Sequence, residues 1–507
     1  MGTYHSTRSH ALACSSKEAI RRGLAPDGGL YVSDELGSAK VDVNSLAGKT
    51  YPELAREVMG LLLPDYTADE IAACVDEAYT GTFASPEVTP LVTLAKAAGP
   101  DGAGAVPTHV LELFGGPTSA FKDVALQMLP RLMARTGGAA GAAGETIMIV
   151  TATSGDTGKA ALAGFADAPG CGITVFYPEG KVSRVQQLQM STQEGGNVAV
   201  CGVRGNFDDA QSAVKRIFSD RELAARLAAR GVALSSANSI NVGRLVPQVV
   251  YYFAAYAQLL RAGAIEPGDA VEFCVPTGNF GDILAGYYAE RLGLPIARLD
   301  VASDRNNVLF DFLETGVYDR RRPFYTTTSP SMDILISSNL ERMLYYAGEG
   351  DSELIARLMR ELAETGRYEA TPAMLERIRA VFAGGWADED EVAHAVKRCW
   401  DEDGYLIDPH TACGFHVLER LAPAAGAKAR VLLSTASPYK FPRAVAGALG
   451  LDVPADDFAC MDVLAAATGT VPPAQLANLA EKPVRFTDVA DVDGLGAYVE
   501  AAAEALA

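Results

Sequence analysis

Residues 111–127 read LELFGGPTSAFKDVALQ, and the rest of the chain is organised around them. A short apolar lead is followed by the turn formers Gly115, Gly116 and Pro117, then by Thr118 and Ser119. Those two hydroxyl residues are the predicted N-caps of a helix that carries Phe121, Lys122 and Asp123 in its first turns. A lysine at the positive end of a helix, in apolar surroundings, is biased toward its neutral amine, the form that attacks a carbonyl to make a Schiff base. Most lysines near a helix start are simply solvated. Three further motifs change that reading.

Each of the three follows a predicted strand, and ligands of open α/β sheets bind at the carboxyl ends of strands. Thr151-Ala152-Thr153-Ser154-Gly155-Asp156-Thr157-Gly158-Lys159 follows an apolar run at 146–150, and its hydroxyls and helix-start N–H groups suit a carboxylate. It is not a phosphate-binding Walker loop, because Ala160 stands where a hydroxyl is required. Pro276-Thr277-Gly278-Asn279-Phe280-Gly281-Asp282 follows a run at 271–275 and forms a natural phosphate cradle. Ser434-Thr435-Ala436-Ser437-Pro438 follows a run at 431–434 and offers a neutral hydroxyl to a ring nitrogen. A Schiff-base lysine, a carboxylate loop, a phosphate cradle and a ring-nitrogen partner are together what a pyridoxal phosphate site requires.

Further out, short apolar strands (146–150, 173–177, 197–202, 270–275) alternate with helical patterns, which predicts parallel sheets covered on both faces. The predicted fold is α/β, with two open, mostly parallel twisted sheets, an N-terminal region and a helical insertion. The expected division is 1–105 (N-terminal region, with helices at 15–23, 51–63 and 68–79), 106–265 (first α/β domain, carrying the lysine) and 266–507 (second α/β domain). The insertion falls at about 304–430, with helices at 351–365, 372–382 and 388–401. The Gly/Ala-rich piece 136–144 reads as a connector, and the stretch after Gly494 as a last surface helix.

At 507 residues the chain is too long for one ordinary core, and 49% hydrophobic with 21% charged residues is a globular composition. A net charge of −20 argues against nucleic acid or an anionic membrane surface as partner. The eight cysteines include no C-x-x-C pair and are expected to be reduced and buried. His410 and His416 do not have the spacing of a zinc-binding helix, so no metal is expected. With no signal-like run and no membrane-length apolar stretch, a cytoplasmic protein is the expectation.

Taken together, the motifs resemble the threonine synthase family, fold-type-II pyridoxal-phosphate enzymes related in fold to tryptophan synthase β. The resemblance rests on Gly28-Gly29-Leu30, Thr118-Ser119-Ala120-Phe121-Lys122-Asp123, Ala152 to Gly158, Gly180-Lys181-Val182-Ser183 with Gln189-Met190, Asn238-Ser239-Ile240-Asn241, Gly278 to Asp282, and Ser434-Thr435-Ala436, in the family's order. It implies that Lys122 is the Schiff-base residue, flanked by Phe121. Gly278, Asn279, Phe280 and Gly281 are implied for the cofactor phosphate, and Thr435 for the pyridine nitrogen. Thr153, Ser154, Asp156 and Thr157 are implied around the substrate's amino-acid end, and Ser183, Arg184, Asn238, Ser239 and Arg244 around its phosphate, with Lys159 a further candidate. The implied reaction is γ-elimination of phosphate from O-phospho-L-homoserine and water addition at Cβ to give L-threonine, in a monomer or homodimer. Lys122 is the natural base for the Cα proton, and either the same lysine or the leaving phosphate takes the Cβ proton.

Two departures stand out. Val242-Gly243 replaces the family's usual aromatic and small residue before Arg244, and Ser437 replaces a histidine. The nearest alternative is a phospho-lyase relative that releases ammonia and a keto acid. Dehydratases and sulfhydrylases of the same fold lack the long insertion, and a non-catalytic relative would have lost the lysine.

Overall fold

The computed structural model describes residues 4–96, 106–137, 145–153 and 155–506, apart from the side chain of Asp208. Ser154 and most of the predicted connector (138–144) lie outside the described residues. Among the described residues the strands form sheets of six, five, three and two strands.

The six-stranded sheet runs in the order Phe382–Trp386, Ile296–Ser303, Ala270–Pro276, Ala427–Ser434, Thr108–Glu112, Leu91–Thr93. All its pairings are parallel except that of the edge strand Leu91–Thr93. The five-stranded sheet is parallel throughout: Val489–Asp491, Val198–Arg204, Cys171–Pro178, Thr146–Ala152, Val232–Ser235. Central strands such as Cys171–Pro178 are buried along their whole length, which is why they read as unbroken apolar runs.

The pairing cuts across the expected chain-order division. Thr108–Glu112, the strand that leads to Lys122, belongs to the six-stranded sheet beside Ala427–Ser434. The C-terminal strand Val489–Asp491 returns to the five-stranded sheet. The expected insertion is likewise not purely helical, since Phe382–Trp386 forms the far edge of the six-stranded sheet. Short strands at chain ends and after loops carry too little periodicity to be assigned to a sheet from sequence.

The helices fall close to expectation: Ser16–Arg22, Tyr51–Leu62, Ala68–Tyr79, Ser352–Thr365 and Glu389–Asp403. Ser15 caps the first through the Glu18 N–H, and Thr67 and Glu70 close a reciprocal cap on the third. Helix Val242–Arg261 is buried along nearly its whole length. It packs on helix Lys122–Ala134 so closely that a Cβ on Gly243 would stand 2.7 Å from Leu129 Cδ1. Val242 is fully buried as well, so the first departure from the family pattern is a packing feature of the core.

Candidate active site

Three of the four motifs sit at the carboxyl ends of adjacent parallel strands: the lysine loop after Glu112, Thr435 after Ser434, and the Gly278 loop after Pro276. The fourth, from Thr153, leaves the five-stranded sheet. The two sheets meet at Lys122.

The lysine loop is not capped as the sequence suggests. The helix begins at Lys122, with Phe121 at the N-cap position and no side-chain cap. Ser119 takes a left-handed φ of 58° instead. Thr118 is committed to Asp123, to which it donates from its backbone N–H at 2.8 Å and its hydroxyl at 2.7 Å. The loop is therefore folded back on its own helix, which places Lys122 at the helix head.

Lys122 is 8% exposed and donates from Nζ to Ser331 Oγ at 3.1 Å. Its Nζ lies 3.8 Å from Asp156 Oδ2 and 4.9 Å from the Phe121 ring centre. Burial pushes the Lys122 ammonium down to about 8; Asp156 opposes the fall, and Lys440 and Arg244 add to it. The neutral amine is thus within reach near physiological pH.

Asp156 heads helix Asp156–Phe165 and gathers the site around it. Lys440 Nζ is 2.7 Å from Oδ1, Gln186 Nε2 donates to Oδ1 at 3.2 Å, and Ser331 Oγ donates to Oδ2 at 3.3 Å. Burial works to raise its pKa, but Lys440 and Lys122 outweigh burial and hold the carboxylate well below its ordinary range. Lys440 itself is 1% exposed and also donates to the Thr118 carbonyl at 3.0 Å.

The cradle motif turns through Phe280, whose φ of 60° is left-handed, into helix Gly281–Arg291. Among the described residues, the N–H groups of Asn279, Phe280, Gly281 and Asp282 have no protein acceptor. Such a row of donors at a helix start suits a phosphate. A Cβ on Gly278 would stand 2.9 Å from the Ser331 carbonyl oxygen, so only glycine lets the two loops touch. Asp282 points away, accepting from Tyr251 and Tyr252 and fixing the cradle to helix Val242–Arg261. Thr435 is buried, and its carbonyl takes the Phe121 N–H at 2.8 Å while no described residue engages its hydroxyl. These donors, the buried lysine and the free hydroxyl fit pyridoxal phosphate.

Other expected residues are placed unevenly. Thr153 is buried and its hydroxyl accepts the Gly155 and Gly158 N–H groups at 3.0 and 2.9 Å, shaping the loop from inside. Thr157 is half-buried beside Asp156. Asn238 accepts from Thr151 at 3.2 Å, and the Ser239 carbonyl accepts from Asn339, next to the cradle. Arg244 is 2% exposed and donates to the Ala237 carbonyl at 3.0 Å, while its Nε has no partner. Burial lowers it to about 10, which leaves a buried cation near Lys122 with no carboxylate beside it among the described residues.

Ser183 spends its hydroxyl on a reciprocal cap with Gln186. Arg184 is not brought to the site: it lies exposed, 3.6 Å from Asp456. Lys159 instead borders a cavity of about 120 Å³ with Gln193, Glu194 and Lys482. Ser437 caps the turn after Thr435 and donates its N–H to the Ser119 carbonyl at 3.1 Å, which accounts for the second departure.

Three residues of the site escape the sequence reading: Lys440, Ser331 and His410. Lys440 was in plain view five residues after Thr435. Ser331 and His410 lie in the stretch taken for an insertion. Segment 331–339 wraps the cradle, with Ser337 donating to the Gly278 carbonyl at 2.7 Å and Asn339 to that of Asn279 at 3.1 Å. The Ser331 N–H donates to His410 Nε2 at 3.1 Å, and His410 Nδ1 in turn donates to Asp408 at 2.7 Å.

The same arrangement of sheets occurs in a pyridoxal-phosphate-bound threonine synthase from Brucella melitensis, which superposes with a TM-score of 0.86 at 39% identity, covering 99% of this chain and 100% of that one. Threonine synthase of Schizosaccharomyces pombe is 38% identical over 87% of this chain and 88% of its own length. Human threonine synthase-like 1 is also 38% identical, but the chain spans only 58% of it. Residues 3–79 match the family described as threonine synthase N terminus, 84–384 that of pyridoxal-phosphate dependent enzymes, and 411–499 that of threonine synthase, C-terminal. The chain belongs to the threonine synthase family of pyridoxal-phosphate-dependent enzymes.

Proposed function

We propose that the chain is a threonine synthase, a carbon–oxygen lyase that converts O-phospho-L-homoserine and water to L-threonine and phosphate. The observation that carries the reading is Lys122, buried between Ser331 and Asp156 and facing a phosphate cradle. Lys122 would hold the cofactor covalently, Gly278 and Asn279 to Gly281 would receive its phosphate, and the Thr435 hydroxyl would meet its ring nitrogen. Pyridoxal phosphate, when bound, supplies the electron sink for the carbanion at Cα.

The chain's own residues do the rest. Lys122 Nζ, as the free amine, takes the Cα proton, and its lowered pKa leaves it a base near neutrality. Ser331 and Asp156 aim that nitrogen. Lys440 balances the Asp156 charge, so the carboxylate stays ionised in a buried site. Thr153, Ser154 and Thr157 complete the amino-acid end. Arg244, a buried cation without a carboxylate, is the strongest candidate for the substrate phosphate, with Ser183, Asn238 and Ser239 around it. Arg184 joins this set only by leaving Asp456.

The substrate is a small molecule, and we place the reaction in the cytoplasm, in a monomer or homodimer. In support, no described helix is long and apolar enough to cross a membrane, and all eight cysteines are free thiols. The test is product analysis with O-phospho-L-homoserine and the cofactor-loaded protein. Threonine and phosphate in equal amounts are expected. Phosphate with ammonia and no threonine would assign the chain to the phospho-lyase alternative, which Arg184's position favours. No phosphate release would overturn both.

A further inference from the structure

On the far side of the molecule's N-terminal sheet, three residues that the sequence leaves apart come together. His5 lies on the central strand Tyr4–Ser6, His10 on Ser9–Cys14, and Asp34 follows the other edge strand, Tyr31–Ser33. The facing atoms of the three lie within 4.8 Å of one another. His5 Nε2 is 2.9 Å and His10 Nδ1 3.9 Å from the same oxygen, Asp34 Oδ2.

The second nitrogen of each ring fixes which atom faces the carboxylate. His5 Nδ1 is 2.9 Å from the Ser6 carbonyl, and His10 Nε2 is 2.9 Å from the Gly350 carbonyl. A carbonyl only accepts, so both of those nitrogens carry hydrogen, and His5 Nε2 and His10 Nδ1 are the ones left to face Asp34. Metal-binding histidines are held in this way, with the outer N–H donated to a backbone carbonyl. The carboxylate is oriented too. Tyr345 donates its hydroxyl to Asp34 Oδ1 at 2.8 Å, which leaves Oδ2 to the two imidazoles, and the same hydroxyl oxygen lies 3.2 Å from His5 Nε2, a contact that an ion would displace.

We propose that His5, His10 and Asp34 form a binding site for a divalent first-row transition ion, with zinc as the fitting case. Ligand atoms around a tetrahedral zinc stand roughly 3.3 Å apart; the two distances to Asp34 Oδ2, 2.9 and 3.9 Å, bracket that spacing, and the two imidazole nitrogens lie within 4.8 Å of each other. Two imidazoles with one carboxylate suit zinc, copper or nickel and disfavour magnesium and calcium. His5 is buried, while His10 and Asp34 are more than half exposed and free to make the small adjustment, with the fourth position open to water. A histidine–carboxylate ion pair is the rival account of the His5 contact. It leaves the orientation of His10 Nδ1 unused.

The ion would join the N-terminal sheet to helix Leu340–Ala347, which carries Tyr345. That helix is already anchored to the sheet by buried Arg342, donating to the Tyr31 carbonyl at 2.9 Å. The residue before it, Asn339, holds the cradle at Asn279.

The test is calorimetric titration of the chelator-treated, cofactor-loaded protein with zinc chloride, alongside His10→Ala and Asp34→Asn. One zinc per chain is expected, with affinity weakened by about 100-fold in each variant and basal activity unchanged. Copper loaded at one equivalent should show nitrogen hyperfine structure from two imidazoles in its paramagnetic resonance spectrum, and from one in His10→Ala. Zinc uptake unaffected by His10→Ala, or no stoichiometric uptake, would overturn the site and leave the ion pair.

Discussion

The two walls of the active site were built in different ways. One is the edge of the six-stranded sheet, where neighbouring parallel strands deliver Lys122, Thr435 and the Gly278 cradle to one place. The other is the irregular segment 323–339, which crosses that edge and delivers Ser331. On the first wall, strand order alone fixes proximity. The second is held by side chains: Asn306 donates to the Tyr325 carbonyl and to Asp333 at 2.9 Å each, and Thr327 donates to Asp333 at 2.7 Å. A regular element can be read from periodicity, whereas a loop held by scattered polar contacts cannot. The site needs both, because Asp156 is braced from one wall by Lys440 and from the other by Ser331.

The contrast is testable from its strongest point outward. Lys440→Met removes the closer of the two buried lysines at Asp156 and should destabilise the protein by about 3 kcal/mol in urea unfolding, since a buried carboxylate left with only the longer Lys122 contact is costly. Lys440 also helps to depress the Lys122 pKa, so the acidic limb of the pH–rate profile, where the base loses its proton, should move to higher pH in the variant.

Ser331→Ala tests the second wall. Losing one hydrogen bond to Lys122 should lower kcat about tenfold while stability changes by no more than about 1 kcal/mol. A variant with normal kcat would mean that the segment only covers the site.

The polar anchor of that wall is sensitive to pH. Burial and the neighbouring Asp304 push the Asp333 carboxyl up to about 7. A carboxyl raised on folding holds its proton longer in the folded state, so its contribution falls as pH rises from the ordinary carboxylate range through about 7. Asp333→Asn abolishes this term, and its melting temperature should gain on the parent's between pH 5 and pH 8. A constant gap would contradict the raised Asp333 carboxyl.

The smallest effect is expected at Arg184→Ala. With Arg184 exposed against Asp456, KM for O-phospho-L-homoserine should change less than about twofold. A large rise in KM would mean that helix Arg184–Ser191 moves inward on binding.

Much of this was legible in the letters. The apolar runs located the strands, and the order of glycines, hydroxyls and Lys122 pointed to pyridoxal phosphate as the cofactor. What the letters hid has physical causes. Thr118 and Ser119 look like caps, but Asp123, five residues on, competes for Thr118 and pulls the loop into another shape. Thr108–Glu112 gives no sign that its sheet partner lies some 320 residues later, because a parallel pairing has no local signature. Ser331 belongs to no motif, and its role exists only because Gly278 admits it.

The most direct test of the central claim is to reduce the cofactor-loaded protein with borohydride and map the labelled peptide by mass spectrometry. Two other lysines are rivals for the label: Lys440, buried against Asp156, and Lys159 at the neighbouring cavity, lowered to about 7 by burial. The account predicts pyridoxyl on Lys122 alone, with the yellow chromophore lost in Lys122→Ala. Label on Lys440 or Lys159 in the unsubstituted protein, or none anywhere, would contradict it.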